Sequence, residues 1–242
     1  EQIEIIRTKP PASAVRGAIG ERAAPPRPIH AQQGAWRMHC AGFRGEAPGL
    51  VALALVDAGV AMGYRVQTVH DSEPIGPGRR AWSQVLFTRG RDVASRGVAS
   101  TAELSDTLPT EIPYGEADLL LGPDGVETLR AIGPDPTLRV AAPNRTTAVV
   151  NTGPLEDQFD EASVDACRAL ADAMPLVALE QHCAARDFAA MCRGRFLTDR
   201  VLDLVLLGIA FQRGCVPVTV DALETAVRRL ELRGYGRCVD AF

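Results

Sequence analysis

Between Trp36 and Phe242 the chain alternates short apolar runs with longer segments whose apolar residues recur every three or four positions. Arg37–Ala41 reads as a strand. A glycine-bearing turn follows, Gly42-Phe-Arg-Gly-Glu-Ala-Pro-Gly49, and then Leu50–Met62, in which Ala52, Ala54, Ala58 and Ala61 sit among larger apolar residues. A helix that is apolar on every side has to be buried, and Gly63 supplies its stop. Arg65–Val69 is a second strand. Strand, glycine turn, helix and strand together predict a parallel sheet with a right-handed crossover.

Downstream, Asp71–Arg80 is rich in turn formers and Trp82–Thr88 reads as a strand. Arg89–Thr110 is polar and irregular, with room for a short strand. Asp118–Leu121 forms a short buried strand ending at Gly122, with a helix over Gly125–Ile132 and a further strand over Thr147–Asn151. The remainder is mostly helical: Glu161–Ala173, Cys183–Cys192, Asp199–Arg213 and Thr219–Leu232, with a strand near Leu176–Leu179. The last helix is the best specified. Thr219 caps it, Leu223, Ala226, Val227 and Leu230 form its apolar stripe, and Glu224 stands four residues before Arg228. The expected fold class is α/β, a three-layer, mostly parallel sheet with flanking helices over residues 35–242. Residues 1–34 carry Pro10, Pro11, Pro25, Pro26 and Pro28 with little apolar periodicity. They read as an extended arm across a partner subunit, as a linker, or as plain disorder.

Composition narrows the function classes. The 26 basic and 30 acidic residues of the 242-residue chain leave a net charge of −4, which argues against nucleic-acid binding and against a polybasic membrane patch. Lys9 is the only lysine, a bias of coding before one of function. No apolar run approaches the roughly 20 residues of a membrane span. The most apolar stretch, Val201–Phe211, is short and carries Asp203. The sequence begins at Glu1 without a signal-peptide pattern, as expected of a processed chain or of one continuing from a larger polypeptide. Cys40, Cys167, Cys183, Cys192, Cys215 and Cys238 form no CxxC pair. Their scatter through apolar segments suits buried thiols of a cytoplasmic protein, with no metal or iron–sulfur site built by this chain alone.

Two loops carry candidate chemistry. A glycine turn between a first strand and its helix can cradle a phosphate on free backbone N–H groups, and Asp71 lies where a ribose-binding acid would stand. Here, however, the spacing is G-x-x-G-x-x-x-G, Glu46 adds negative charge, and Pro48 removes a donor. A nucleotide-binding oxidoreductase using Gly42, Gly45 and Asp71 is therefore one alternative. A structural turn facing a partner is another. In Gly76-Pro-Gly-Arg-Arg80, Arg79 and Arg80 can clamp a carboxylate or phosphate, or simply form a solvated basic loop. Ser72 and Ser83 lie near His70 and Asp71, but no G-x-S-x-G elbow exists. His30, His39 and His182 read as structural histidines. Asp157, Asp160 and Glu161 precede a helix whose positive end favours them.

Taken in order, several segments resemble the γ domain of the 2-oxoacid:ferredoxin oxidoreductases, most nearly the indolepyruvate type. They are the Gly42–Gly49 turn, Gly76-Pro-Gly-Arg-Arg-Ala-Trp-Ser-Gln-Val-Leu-Phe87, Gly115–Gly122, Ala148–Thr152, Val205–Gly214, Val216–Val227 and Val239–Phe242. The resemblance implies a non-catalytic γ subunit or domain of a complex that decarboxylates a 2-oxoacid, an aryl pyruvate for this type, and forms acyl-CoA. Thiamine diphosphate, its magnesium ion and [4Fe–4S] clusters would reside in partner subunits, with ferredoxin or another acceptor served by the complex. This chain would bind no cofactor itself and would help to wall the substrate or CoA pocket. Arg79, Arg80 and Arg44 are its candidate pocket-facing residues. A purely structural scaffold remains the alternative, because the family's G-x-G-G-x-G turn is here interrupted by Phe43, Arg44, Glu46 and Pro48.

Overall fold

The computed structural model describes residues 35–42, 49–72, 81–89, 111–133, 139–156, 161–178, 180–236 and 238–242. The proline-rich arm, Arg44, Arg79, Arg80 and the Arg89–Thr110 segment beyond Arg89 lie outside the described residues, except for the backbone at 89. Six strands form one sheet: β1 (Ala35–Ala41), β2 (Tyr64–Ser72), β3 (Ala81–Arg89), β4 (Leu119–Gly122), β5 (Thr147–Asn151) and β6 (Cys183–Arg186), in the order β2-β3-β1-β4-β5-β6. β1, β4, β5 and β6 pair in parallel, and β3 is antiparallel to both of its neighbours. The sheet is therefore mixed but mostly parallel, as the α/β pattern predicts.

One detail differs from the expected unit. β1 and β2 run the same way without touching, because β3 folds back from β2 in register, Ser72 opposite Ala81 and Tyr64 opposite Arg89, and enters between them. A hairpin partner close in sequence takes the place that a crossover strand would otherwise occupy.

Among the described residues seven α-helices pack on the sheet and on one another: α1 (Leu50–Ala61), α2 (Gly125–Ile132), α3 (Glu161–Ala173), α4 (Phe188–Phe196), α5 (Leu202–Gln212), α6 (Val220–Leu232) and α7 (Cys238–Ala241). Trp36, Met38 and Cys40 of β1 point to one face, with Val85, Phe87, Leu119, Leu121 and Val149. There α1 and α5 lie against the strands, while α6 and α7 pack on their outer sides. That double layer explains why α1 and α5 are apolar all round. Ala41, Leu120, Ala148 and Val150 point to the other face, which α2 and α3 cover with a single stripe of Ala131, Ile132 and Leu170.

Most elements lie where the periodicity put them, and two do not. Cys183–Cys192 is not one helix: Cys183–Arg186 is β6, paired to β5, and Asp187 then caps α4 by accepting from the Ala190 N–H at 2.8 Å. Pairing with a neighbour already in place overrides the helical propensity of Ala-Ala-Arg. The expected strand near Leu176–Leu179 is instead a 3-10 turn over Met174–Leu176 holding Pro175, with Leu176 exposed. The N–H groups of Val177 and Ala178 both close on the Met174 carbonyl, so no ladder bonds remain for a strand at those positions. α5 also starts three residues later than Asp199, whose carboxylate accepts from the Glu156 N–H at 2.6 Å and pairs with Arg193 at 3.2 Å.

Candidate functional site

In an open parallel sheet the carboxyl ends of neighbouring strands diverge where the strand order reverses, leaving a crevice. Here that point lies between β1 and β4. β1 is followed by Gly42, held at φ +100, and a Cβ at this position would overlap the Cβ of Asp124. The Asp124 N–H donates to the Ala41 carbonyl at 3.2 Å, which binds the β4–α2 turn to the end of β1. Its carboxylate Oδ1 accepts from the Val126 and Glu127 N–H groups at 2.8 and 3.1 Å and caps α2.

Asn151, fully buried at the end of β5, ties this edge together. Its Nδ2 donates to the carbonyls of Pro123 at 3.2 Å and Gly153 at 2.7 Å. Its Oδ1 accepts from the N–H groups of Gly153 at 3.2 Å and Ala189 at 3.0 Å. One amide thus joins the β4–α2 turn, the β5 turn and the start of α4. A side chain at Gly153 would collide with the Asp187 carboxylate, so the edge is closed to the backbone there.

The helix N-termini at this edge differ. α2 and α4 are capped by Asp124 and Asp187, whereas Gly49 at φ +85 gives α1 no side-chain cap. The turn entering α1 departs from Gly42 and returns at Gly49, and residues 43–48 lie outside the described residues. The second candidate loop springs from the same edge. Ala41 of β1, Trp82 of β3 and Asp71 of β2 stand in one row, so Ser72 and Ala81, which flank residues 73–80, face the same side as Gly42. Asp71 itself is exposed and two strands away from β1, about 10 Å at the usual spacing, with β3 between.

The thiols and His39 are withdrawn from this edge, whereas His70, Asp71 and Ser72 at the end of β2 are exposed. Cys40, Cys167, Cys192, Cys215 and Cys238 are buried and free, and Cys183 is half-buried. Burial pushes all six thiols up. Cys192 and Cys238 rise to about 11, burial acting first and Asp203 adding to it in both. Such thiols are poor nucleophiles and poor ligands. Among the described residues no three His, Cys, Asp or Glu side chains gather to hold a metal ion.

His39 is buried beneath Trp82, its ring stacked at 5.8 Å, and burial lowers its pKa to about 4. Gln84 Oε1 accepts from the Ile112 N–H at 2.8 Å, which leaves Gln84 Nε2 to donate to His39 Nδ1 at 3.1 Å. The proton of the neutral ring therefore sits on Nε2. His70 stands opposite Ser83 across the β2–β3 pair, yet the buried Ser83 Oγ makes no hydrogen bond to it. No nucleophile–base pair is assembled among the described residues.

Asp187 was hidden as a cap inside the helix expected over Cys183–Cys192, whereas Asp124, directly before the helix expected over Gly125–Ile132, was legible. Asn151 was not: its signal is an asparagine ending a β-branched strand before Gly153, which reads as a simple turn. At the opposite, amino edge, Asp118 accepts from the Arg37 N–H at 2.8 Å and pairs with Arg145 at 2.8 Å, while Arg37 reaches Glu116 at 3.2 Å. That edge is locked by its own charges.

No protein-family model matches the chain, and no curated protein matches it. Among solved structures it is similar to pyruvate oxidoreductase subunit PORC from Thermotoga maritima, with 14% identity and a TM-score of 0.49 over 86% of this chain and 91% of that one. It is also similar to the gamma subunit of keto/oxoacid ferredoxin oxidoreductase from Geobacter sulfurreducens, with 13% identity and a TM-score of 0.45 over 86% of this chain and 98% of that one. Likeness of this degree concerns the path of the chain, and no residue role is carried across it.

Proposed function

We propose that this chain is a non-catalytic γ-type subunit or domain of a multi-subunit 2-oxoacid oxidoreductase of the indolepyruvate type. In this reading partner subunits hold thiamine diphosphate, magnesium and [4Fe–4S] clusters, decarboxylate an aryl pyruvate, form acyl-CoA and pass electrons to ferredoxin or another acceptor. The chain's own residues wall the pocket. Its ordered sequence segments suggest the family, and one observation carries the site: the flanks of both arginine-bearing loops lie at one edge of the sheet, beside the strand reversal. Arg44, Arg79 and Arg80 are proposed to contact the anionic substrate or CoA, since guanidinium groups bind carboxylate and phosphate bidentately.

The withdrawal of thiols and His39 into the core supports a wall rather than a reaction centre. A dinucleotide-binding enzyme is less favoured, because β3 holds Asp71 away from the first turn. Purification under native conditions tests the proposal. Larger subunits should accompany the chain in fixed ratio, with the visible absorbance of iron–sulfur clusters and thiamine diphosphate released by acid. A stable chain without companions, or one that binds NAD, NADP or FAD in calorimetry, contradicts it.

A further inference from the structure

Among the described residues β2 is an outer strand: it pairs with β3 on one side, and the sheet ends with it on the other. It is nine residues long, against four for β6 at the opposite edge. Long outer strands leave a row of N–H and C=O groups on offer, and charged residues along them decide what may pair.

The charges of β2 are self-complementary. Arg65, Gln67, Val69 and Asp71 point to one face by the alternation of the strand. When two copies of Tyr64–Ser72 meet antiparallel about a two-fold axis, the register that pairs all nine residues sets Thr68 opposite Thr68. The same register sets Arg65 opposite Asp71, twice over. Shifting the pairing by two residues breaks both contacts. Arg65, Thr68 and Asp71 are exposed, and Arg65 and Asp71 form no ion pair among the described residues. On the other face Tyr64 and Val66 are already engaged, Tyr64 stacking on Phe87 at 5.1 Å and donating to the Pro217 carbonyl at 3.0 Å and Val66 packing beside Gly59, while Thr68, His70 and Ser72 are exposed.

We infer that β2 is a self-association edge, through which a second copy of this chain pairs antiparallel to join the two six-stranded sheets into one. The interface is isologous, as two-fold symmetry demands, and its edge is about 30 Å long at the usual rise per residue. A contact of that size gives a concentration-dependent dimer rather than a permanent one. The inference stands whether or not the chain belongs to an oxidoreductase.

Sedimentation of the full chain over a range of concentrations supplies the test. Wild type should shift from monomer to dimer. Asp71→Arg and Arg65→Asp each set like charges opposite one another, and each should weaken the dimer by about tenfold or more. The double swap, Arg65→Asp with Asp71→Arg, should restore it. Independently, Thr68→Cys should cross-link to its twin on mild oxidation, whereas Leu232→Cys, exposed on the outer helix layer, should not. A chain that stays monomeric, a dimer indifferent to the single swaps, or failure of both the rescue and the Thr68→Cys cross-link overturns the inference.

Discussion

The two faces of the sheet are built on different principles. On the thick face α1 and α5 are sandwiched between strands and a second layer of helices, so their sequences are apolar in every direction. On the thin face α2 and α3 meet water on their outer sides and show one apolar stripe each. The thick face holds the molecule together mainly by burial, with a few placed hydrogen bonds such as Trp36 Nε1 to the Cys215 carbonyl at 3.1 Å and the Tyr64 hydroxyl to the Pro217 carbonyl at 3.0 Å. The thin face relies on fewer apolar contacts and on placed polar groups, His39 with Gln84 and Asp124 at its cap, while Asn151, on the Val149 side of β5, ties the carboxyl edge to α4. Stability is concentrated on one side, and the loops proposed to meet a ligand leave from the rim between them.

Truncation in the core should separate the faces most sharply. Leu207→Ala, fully buried in α5, should cost about 4 kcal/mol, because the surrounding double layer cannot collapse onto the gap. Leu170→Ala, equally buried in α3, should cost nearer to about 2 kcal/mol, since a single helix layer can settle inward. Urea unfolding measures both, and equal losses would erase the distinction.

Acid should act on the thin face. The unfolded chain protonates His39 near its ordinary 6.5, whereas burial lowers the folded value to about 4. Stability is therefore fully present above pH 6.5 and is lost as the pH falls through that window, by about 3 kcal/mol at the lower end. Replacing His39 with Leu should flatten unfolding midpoints over that range. An unchanged slope would mean that His39 is hydrated in solution.

Smaller effects follow at the rim and surface. Gly42→Ala should cost about 2 kcal/mol, through its left-handed backbone and the collision with Asp124. Asn151→Asp keeps the shape but turns a carboxylate oxygen toward the Pro123 and Gly153 carbonyls, and should cost about 1 to 2 kcal/mol. Arg168→Ala should change nothing beyond about 0.5 kcal/mol, because its ion pair with Asp165 lies open to water.

The helices were legible wherever burial left an imprint on the sequence. All-round apolarity announced α1 and α5, and Thr219 with its stripe announced α6 almost to the residue. Strand order left no such imprint. Nothing in the residues of β3 says that it returns between β2 and β1, because that choice is made by hairpin closure and not by local propensity. β6 was hidden for a related reason: Cys-Ala-Ala-Arg has no strand preference of its own and becomes a strand only beside β5. At the rim, Gly42 and the Asp124 position before its helix could be read locally, but the role of Asn151 depends on three segments distant in sequence meeting at one amide. The arginines of the two loops stand out in the sequence only as candidate chemistry, and the common edge from which those loops depart emerged only from the register of β1, β2 and β3.

The claim that this chain walls a pocket whose chemistry belongs to its neighbours is tested most directly by depletion and add-back. A 2-oxoacid oxidoreductase complex stripped of the chain would be assayed with aryl pyruvate, CoA and an electron acceptor, then reconstituted with wild type or with Arg79→Ala and Arg80→Ala together. The account predicts no turnover by the chain alone, recovery of rate on adding wild type, and recovery with a raised KM for the anionic substrate or CoA on adding the double variant. Turnover by the isolated chain, or full activity of the complex in its absence, would contradict it.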